Sequence, residues 1–307
     1  MLILTLGVTE GHAEPLVFQT QGKCMADDSS ITHITDTAFW TATFRAREAQ
    51  RADAAFHDAL AGILSGERGR KITRSMPRAG LVGWGIVVRT SAIDQLIHEA
   101  LDSGVDAVLN LGAGLDTRPY RMKLPGQLRW IEIDFPNIVE FKNASLAEHA
   151  PICHLERIGM DLLNRSARSE LFARCGAYSE KTLVITEGVI SYLSNDDVAT
   201  LAREMFENPA IRLWIQDFDN AGNRQLPRGW EEKLRAAPFV FEVKDWFEFF
   251  EQSGWRALKT ITSAEEAKKI SRPYPWDFPY GLLLRALPSA MREKILSLSG
   301  AVLMERM

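Results

Sequence analysis

The chain alternates short apolar runs with longer amphipathic segments from about residue 105 to its end. Most of the short runs have the length of a strand and are rich in β-branched or aromatic residues, so each predicts a strand. The seven predicted strands cover residues 107–111, 128–133, 152–158, 182–186, 211–216, 255–260 and 301–305. Because helical segments separate them, the pattern favours an α/β fold with a doubly wound, mostly parallel sheet that helices cover on both faces.

Two of the intervening segments show helical periodicity. In residues 91–101 the apolar side chains fall on one helical face, and Gly104 follows as a C-cap signal. In residues 195–206 the apolar side chains again form one stripe, and either Ser194 or Asn195 can cap the N-terminus of the helix. Both segments therefore predict helices that pack against the sheet.

The remaining segments suggest how the chain is organised. Residues 31–88 look mostly helical and precede the first strand, which predicts a helical cap. Residues 220–252, between the fifth and sixth strands, are rich in Trp and Phe and predict an insertion on the substrate side. We expect residues 31–307 to form a single domain and residues 1–30 to be a loosely ordered leader or lid.

Composition limits the classes of partner. The chain of 307 residues is 46% hydrophobic and 25% charged, as is usual for a globular protein. Its net charge is −4 and it has no block of Lys or Arg, so neither nucleic acid nor an acidic membrane surface is an expected partner. The apolar segment at residues 2–8 is far too short to span a bilayer. These observations favour a small-molecule partner and leave the oligomeric state open.

The cysteines argue against both a disulfide framework and a zinc site. Cys24, Cys153 and Cys175 are far apart and lack C-x-x-C spacing, which fits the reducing cytoplasm. His149, Cys153 and His154 could suggest a metal, but Cys153 and His154 are adjacent on a predicted strand and point to opposite sides. We expect no metal.

A glycine turn follows the first predicted strand. Gly112 and Gly114 lack a Cβ atom, so a ligand can approach the main chain closely there. A dinucleotide fingerprint requires a third glycine where this chain has Thr117, and Asp116 would repel a pyrophosphate. A cofactor that carries ammonium and sulfonium cations would tolerate or favour this carboxylate. The turn therefore favours S-adenosylmethionine over a nicotinamide cofactor.

Carboxylates follow the next strands at the spacing that such a cofactor needs. Glu132 and Asp134 come about 20 residues after the turn, where an acid can accept hydrogen bonds from both ribose hydroxyls. Alternation along the strand puts both on the same side, so spacing does not choose between them. Asp161 can accept from an adenine amino group while Leu162 covers the ring, and Glu187 follows the fourth strand near the expected reacting centre.

Several of these segments together resemble a known family. The sequences NLGAGLDTRPYR at residues 110–121, EIDFPNIV at 132–139 and TEGVISYL at 186–193 are similar to the leucine carboxyl methyltransferase family. More narrowly, they resemble its bacterial branch, which includes polyketide O-methyltransferases of the tetracenomycin type. Upstream, RARE at residues 45–48 and RTSAID at 89–94 match the N-terminal helix pattern and the arginine-led helix start of the family. The combination is specific, whereas no single motif is.

The resemblance implies a fold, a cofactor and a set of binding residues. The fold would be that of a class I, Rossmann-like methyltransferase, and the cofactor would be S-adenosyl-L-methionine. The residues that would bind it are Arg89, Gly112, Gly114, Asp134, Asp161, Leu162 and Glu187.

The resemblance also implies individual roles. Arg89 would hold the carboxylate of the cofactor, for which a guanidinium group is a strong partner. Gly112 would contact the methionine portion, and Glu187 would lie beside the amino group. Asp134, rather than Glu132, would hold the ribose.

The predicted activity is O-methylation of a carboxylate or hydroxyl group on a small molecule, such as a polyketide-like or other specialised metabolite. A carboxyl methyltransferase acting on a protein or peptide C-terminus is the alternative, and a nicotinamide-dependent oxidoreductase is disfavoured by Asp116 and Thr117. Tyr192 is the predicted substrate-facing residue, although it could equally be a core tyrosine with a satisfied hydroxyl. The aromatic run at residues 274–280 could line an acceptor pocket or pack a loop stiffened by proline.

Overall fold

The computed structural model describes residues 31, 33–220, 230–275, 283–284 and 286–307. Its strands are β1 (Ala107–Leu111), β2 (Arg129–Asp134), β3 (His154–Gly159), β4 (Thr182–Thr186), β5 (Ile211–Asp219), β6 (Trp255–Thr262) and β7 (Ser299–Arg306). All seven predicted strands are confirmed. The bounds of β1 and β4 are those predicted, and the other strands start or end up to three residues away.

The seven strands form one sheet in the order β3-β2-β1-β4-β5-β7-β6. The pairs among β1 to β5 are parallel, whereas β7 runs antiparallel to both β5 and β6. The carboxyl ends of the five parallel strands therefore meet at one edge, where open α/β sheets bind their ligands. The mostly parallel, doubly wound fold was predicted and is confirmed.

The helices of the described residues precede the sheet or connect its strands. They are α1 (Asp36–Ala49), α2 (Ala61–Ser75), α3 (Ala79–Asp102), α4 (Arg118–Arg121), α5 (Pro136–Ser145), α6 (Arg165–Tyr178), α7 (Asn195–Glu207), α8 (Trp230–Lys233), α9 (Trp246–Glu251), α10 (Ser263–Lys269) and α11 (Ser289–Leu296). A short 3₁₀ helix covers Ile190–Tyr192. At the start of α7, the side chain of Ser194 accepts from the backbone N–H of Asp197, so Ser194 is the cap. None of these helices has both the length and the apolar character needed to cross a membrane.

Helix α3 corrects two predictions. It begins at Ala79 rather than at residue 91, so Arg89 lies in the middle of the helix and the expected arginine-led helix start is wrong. The glycines at positions 80, 83 and 85 lie inside the helix. A Cβ atom on Gly83 would be only 2.5 Å from Cδ1 of Phe44 in α1. Gly83 therefore allows α3 to pack closely against α1.

Each face of the sheet is buried under helices. On one face, Val108 and Trp130 of the sheet pack with Ile93 and Leu96 of α3. On the other face, the side chains of Leu109, Val184 and Trp214 pack with residues of α6, α7 and α9. Successive residues of β1 thus point into different cores, as expected for a strand that is buried on both sides. The predicted helical cover on both faces is confirmed.

Two further regions lie at the carboxyl edge of the sheet. Helices α1 and α2 and the first turns of α3 precede β1, and residues 230–251 connect β5 to β6. The backbone N–H of Val240 donates to the carbonyl oxygen of Ser191 at 2.8 Å, which ties this connection to the 3₁₀ helix. Residues 1–30, residues 221–229 of the predicted insertion and residues 276–280 of the aromatic run lie outside the described residues.

Candidate functional site

The glycine turn after β1 has the backbone geometry that its glycines allow. Gly112 has φ +67° and Gly114 has φ +49°, values that favour glycine. A Cβ atom on Gly112 would lie 2.4 Å from Cγ2 of Val189, the residue before the 3₁₀ helix. The backbone N–H of Gly114 donates to Oδ2 of Asp134 at 2.6 Å. The turn therefore sits between the ends of β4 and β2.

The two acids of β2 have different surroundings. Glu132 is 1% exposed, and its Oε2 atom lies 2.7 Å from Nζ of Lys142 and 2.8 Å from Nε of Arg157. Asp134 instead accepts two backbone hydrogen bonds, from Gly114 and from Phe135 at 2.8 Å. Burial raises the pKa of Asp134, and these two N–H donors oppose that effect. The charge of Glu132 is thus balanced by Lys142 and Arg157, whereas Asp134 faces the glycine turn.

Arg89 joins α3 to the ends of two strands. Its Nε atom lies 3.1 Å from Oε1 of Glu187, which follows β4, and its Nη1 atom lies 3.2 Å from Oδ2 of Asp217 in β5. Asp217 also accepts from the backbone N–H of Gly188 at 2.7 Å. The Nη2 atom of Arg89 has no hydrogen-bond partner among the described residues. One donor of this guanidinium group is therefore available to a ligand.

Asp217 was not among the predicted site residues. The predicted fifth strand ended at residue 216, whereas β5 continues to Asp219. The rule that selected Glu187, a carboxylate at the carboxyl end of a parallel strand, applies equally to Asp217. Asp217 directly follows the predicted strand, so this rule could have identified it from the sequence.

Arg118 lies at the centre of a buried group of charges. Its Nη1 atom lies 2.9 Å from Oδ2 of Asp116 and 2.8 Å from Oε2 of Glu187, and its Nε atom lies 2.7 Å from Oδ1 of Asp94. The pair of Asp116 and Arg118 lies within the loop that contains the glycine turn. Arg121 adds a second guanidinium group, 2.7 Å from Asp94. The glycine turn is thus braced by ion pairs to α3 and to the end of β4.

These charges control the ionisation of the site. Burial alone would raise the pKa of Glu187, but the guanidinium groups of Arg118 and Arg89 lower it below its usual value. Burial likewise opposes ionisation of Asp94, and Arg121 and Arg118 lower its pKa. The pKa values of Glu187 and Asp94, next to Arg118, are therefore lowered, whereas that of Asp134 is raised.

A cavity of about 750 Å³ opens at this edge of the sheet. Its volume lies within the range of roughly 300–1,000 Å³ that is typical of small-molecule sites. All eight residues predicted for the cofactor or the substrate line it, namely Arg89, Gly112, Gly114, Asp134, Asp161, Leu162, Glu187 and Tyr192. The structure thus brings together residues that the sequence spreads over about 100 positions.

One end of the cavity is apolar. Ile34, Val82, Ile86, Tyr192 and Phe239 line it and pack with one hydrophobic cluster; we call them the apolar wall. The rings of Tyr192 and Phe239 are 5.1 Å apart. Val82, Ile86 and Arg89 follow one another along one side of α3, so the wall adjoins the ion pair of Arg89 with Glu187.

The part of the chain that the structure describes contains no cluster of side chains suited to a metal ion. No group of three His, Cys, Asp or Glu side chains is placed there to hold an ion. Cys153 is a buried free thiol, and burial raises its pKa to about 11. His154, the next residue along the strand, is exposed.

Two solved structures share the fold. A DUF574 family protein from Streptomyces avermitilis matches with a TM-score of 0.53 at 12% identity, over 87% of this chain and 97% of that one. A protein from Thermobifida fusca, described as a methyltransferase, matches with a TM-score of 0.52 at 14% identity, over 91% of this chain and 96% of that one. At these identities the similarity concerns the fold alone.

Sequence comparisons go further. A relative from Frankia alni is 31% identical over 261 residues, which cover 77% of this chain and 87% of the relative. A relative from Parafrankia sp. is 29% identical over 264 residues, which cover 79% of this chain and 83% of the relative. Both are named as S-adenosyl-L-methionine-dependent methyltransferases. The family model of the leucine carboxyl methyltransferases matches residues 38–206. As its sequence motifs predicted, this chain belongs to the leucine carboxyl methyltransferase family.

Proposed function

We propose that this protein, an S-adenosylmethionine-dependent methyltransferase, transfers the methyl group to an oxygen atom of a small molecule. The acceptor atom belongs to a carboxylate or a hydroxyl group, and the acceptor is a polyketide-like compound or another specialised metabolite. The observation that carries the proposal is a single cavity in which the predicted cofactor residues adjoin the apolar wall.

Asp134 fits the ribose of the cofactor. Each of its oxygen atoms accepts one backbone hydrogen bond, and a carboxylate oxygen has room for a second. The described residues include no cation within ion-pair distance of Asp134. Two hydroxyl groups on adjacent carbons would supply further donors to this carboxylate, whose pKa is raised by burial. Asp161 and Leu162, on the neighbouring side of the cavity, would frame the adenine.

Arg89 and Glu187 fit the amino-acid end of the cofactor. The free Nη2 donor of Arg89 would bind its carboxylate, and Glu187 would lie beside its amino group. Arg118 holds Glu187 in place from the side opposite to Arg89. Because both guanidinium groups lower the pKa of Glu187, this carboxylate carries its negative charge at neutral pH.

When bound, the cofactor supplies a methyl group that is already activated by a positively charged sulfur atom. The remaining task of the protein is to orient the acceptor oxygen and to exclude water. The apolar wall provides surface for both purposes. Tyr192, which lies in this wall against Phe239, is the proposed substrate-facing residue.

A labelling experiment tests the proposal. The protein would be incubated with methyl-labelled S-adenosylmethionine and with a cell extract of the source organism, separated by ultrafiltration into small molecules and proteins. We expect the label in small-molecule products that chromatography separates from S-adenosylmethionine itself. Transfer of the label to protein alone would contradict the proposal and favour methylation of a protein C-terminus.

A further inference from the structure

We propose that Asp217 is a positioning residue of the cofactor site, which holds the guanidinium group of Arg89 so that its free Nη2 atom faces the carboxylate of the cofactor. This role rests on the proposed function, which assigns Nη2 of Arg89 to that carboxylate. It follows from the two contacts that the Asp217 side chain makes at the end of β5 and from the strand that carries it.

The sheet fixes the backbone of Asp217. Strand β5 is an inner strand, with β4 on one side and β7 on the other. Its pairing with β4 ends at Gln216, whereas its pairing with β7 includes Asp217 opposite Ala301. Glu187, the other carboxylate on Arg89, instead lies in the turn after β4. Because strands hold side chains more precisely than loops do, Asp217 gives Arg89 the better fixed of its two contacts.

Two contacts together set the orientation of the guanidinium group. Oδ2 of Asp217 lies 3.2 Å from Nη1 of Arg89, and Oε1 of Glu187 lies 3.1 Å from Nε. A single contact would let the planar group pivot, whereas contacts on two different nitrogen atoms hold it. The third nitrogen atom, Nη2, is then presented to the cavity before a ligand arrives. A side chain that the fold already holds loses less rotamer freedom on binding, so the cofactor meets a preorganised donor.

The same carboxylate holds the turn after β4 beside the guanidinium group. Oδ1 of Asp217 accepts from the backbone N–H of Gly188 at 2.7 Å. Gly188 has φ +66°, and a Cβ atom there would lie 3.4 Å from both Nη1 and Nη2 of Arg89. The backbone of the turn therefore lies directly against Arg89. Asp217 thus sets the spacing between Arg89 and the turn that carries Glu187.

The variant Asp217→Asn tests this role. The Asn side chain has one acceptor oxygen in place of two, so it can serve Gly188 or Arg89 but not both. We expect S-adenosylhomocysteine to bind about fivefold or more weakly, which corresponds to the loss of one net hydrogen bond. Affinity for 5′-methylthioadenosine, which lacks the carboxylate, should change less than about twofold. Calorimetric titration would measure both dissociation constants.

A double-mutant cycle shows whether Asp217 acts through Arg89. In Arg89→Ala the amide oxygen of an Asn at position 217 is free to accept from Gly188, so the second substitution should have no further effect. We expect Arg89→Ala and Arg89→Ala/Asp217→Asn to bind S-adenosylhomocysteine within about twofold of each other. A further loss of fivefold or more in the double variant would overturn the positioning role. This comparison also decides the matter if Asp217→Asn alone fails to fold, because the double variant lacks the guanidinium group that the amide would repel.

Glu48→Gln is the matched control. Like Asp217, Glu48 contacts a guanidinium group, that of Arg272 at 2.6 Å, and accepts from a backbone N–H, that of Ala55 at 2.8 Å. Glu48 is not among the described residues that line the cavity. We expect the control to lower the melting temperature and to leave the ratio of the two dissociation constants unchanged. The same change of ratio in both variants would overturn the role of Asp217, because loss of stability alone would then explain it.

The titrations also separate this role from the proposed function. Equal losses of the two ligands in Arg89→Ala would remove the assignment of Arg89 to the cofactor carboxylate, and the role of Asp217 would fail with it. Selective loss of S-adenosylhomocysteine in Arg89→Ala without such a loss in Asp217→Asn would leave that assignment intact and overturn only the role of Asp217. The methyl acceptor, which the labelling experiment addresses, does not enter these titrations.

Discussion

The Nη1 atom of Arg118 lies 2.8 Å from Oε2 of Glu187, although the two residues follow different strands of the sheet. Arg118 begins α4 behind the glycine turn, and Glu187 comes directly after β4. The same guanidinium group contacts Asp94 of α3 and Asp116 of the turn. The guanidinium group of Arg118 therefore links three carboxylates and fixes the carboxyl edge of the sheet relative to α3.

Replacement of Arg118 by Leu is expected to destabilise the protein strongly. It leaves Asp94, Asp116 and Glu187 buried without the cation that they share, and loss of one partner from a buried ion pair typically costs about 3–5 kcal/mol. Urea unfolding followed by tryptophan fluorescence would measure the change in the free energy of unfolding. Arg174→Leu is the control, because Arg174 pairs with Glu156 at the surface and such a pair contributes at most about 1 kcal/mol. Similar losses in the two variants would contradict the assigned role of Arg118.

Much of the fold could be predicted because the sheet is buried on both faces. Strands such as β1 and β4 are buried along their whole length and consist mainly of apolar residues, so their bounds are visible in the sequence. Helix α3 was predicted too short, because its apolar periodicity was assigned only from residue 91. Gly83 lets Phe44 approach α3, which is a tertiary contact that no local pattern reveals.

The candidate site was predictable to a similar extent. Asp134 ends β2 and Glu187 follows β4 at the expected edge, and motif similarity selected Arg89 as a candidate although its predicted position in the helix was wrong. Spacing could not separate Asp134 from Glu132, since the difference lies in Lys142 and Arg157, which reach Glu132 from other elements. Asp217 directly follows the predicted fifth strand, as Glu187 follows the fourth, but it lies outside the motifs that carry the family resemblance.

Exchange of Asp134 for Asn should weaken cofactor binding without unfolding the protein. Hydrogen bonds to a charged group contribute about 1.5–3 kcal/mol, so we expect a loss of roughly tenfold to a hundredfold in affinity. Calorimetric titration would show this loss both for S-adenosylhomocysteine and for 5′-methylthioadenosine, because both contain the ribose. In contrast, Glu132→Gln should lower stability, since it leaves Lys142 and Arg157 without their carboxylate. Weaker binding in Glu132→Gln at unchanged stability would reverse the assignment.

Removal of the Arg89 side chain should weaken binding only of ligands that carry the amino-acid portion of the cofactor. In Arg89→Ala we expect about tenfold to a hundredfold weaker binding of S-adenosylhomocysteine, by the same estimate for charged hydrogen bonds. Binding of 5′-methylthioadenosine, which lacks the carboxylate, should change less than threefold. Equal losses for the two ligands would show that Arg89 acts through the fold rather than on the carboxylate.

Stability and cofactor affinity should respond differently to acid. Asp94 and Glu187 have pKa values below those of the unfolded chain, so their contribution to stability is complete above the unfolded values of about 3.9 and 4.3 and is lost as the pH falls through the lower folded values. Asp134 has a raised pKa and must be ionised to accept two hydroxyl donors. As the pH is lowered, affinity for S-adenosylhomocysteine should therefore fall before the free energy of unfolding does. A coincident loss of both would indicate that binding reports only unfolding.

The glycine turn can be tested with a matched pair of glycines. Gly112 and Gly104 both have positive φ, +67° and +90°, but a Cβ atom on Gly104 meets open space while one on Gly112 lies 2.4 Å from Val189. Gly104→Ala should cost only the backbone term, about 1–2 kcal/mol. Gly112→Ala should cost more and should also weaken binding of S-adenosylhomocysteine, because either the turn or Val189 must move. Adding Val189→Ala to Gly112→Ala removes the clashing methyl groups and should restore part of the stability. If the second substitution restores no stability, the cost of Gly112→Ala comes from the backbone angles of the turn alone. The contact between Gly112 and Val189 then does not position the carboxyl edge of the sheet.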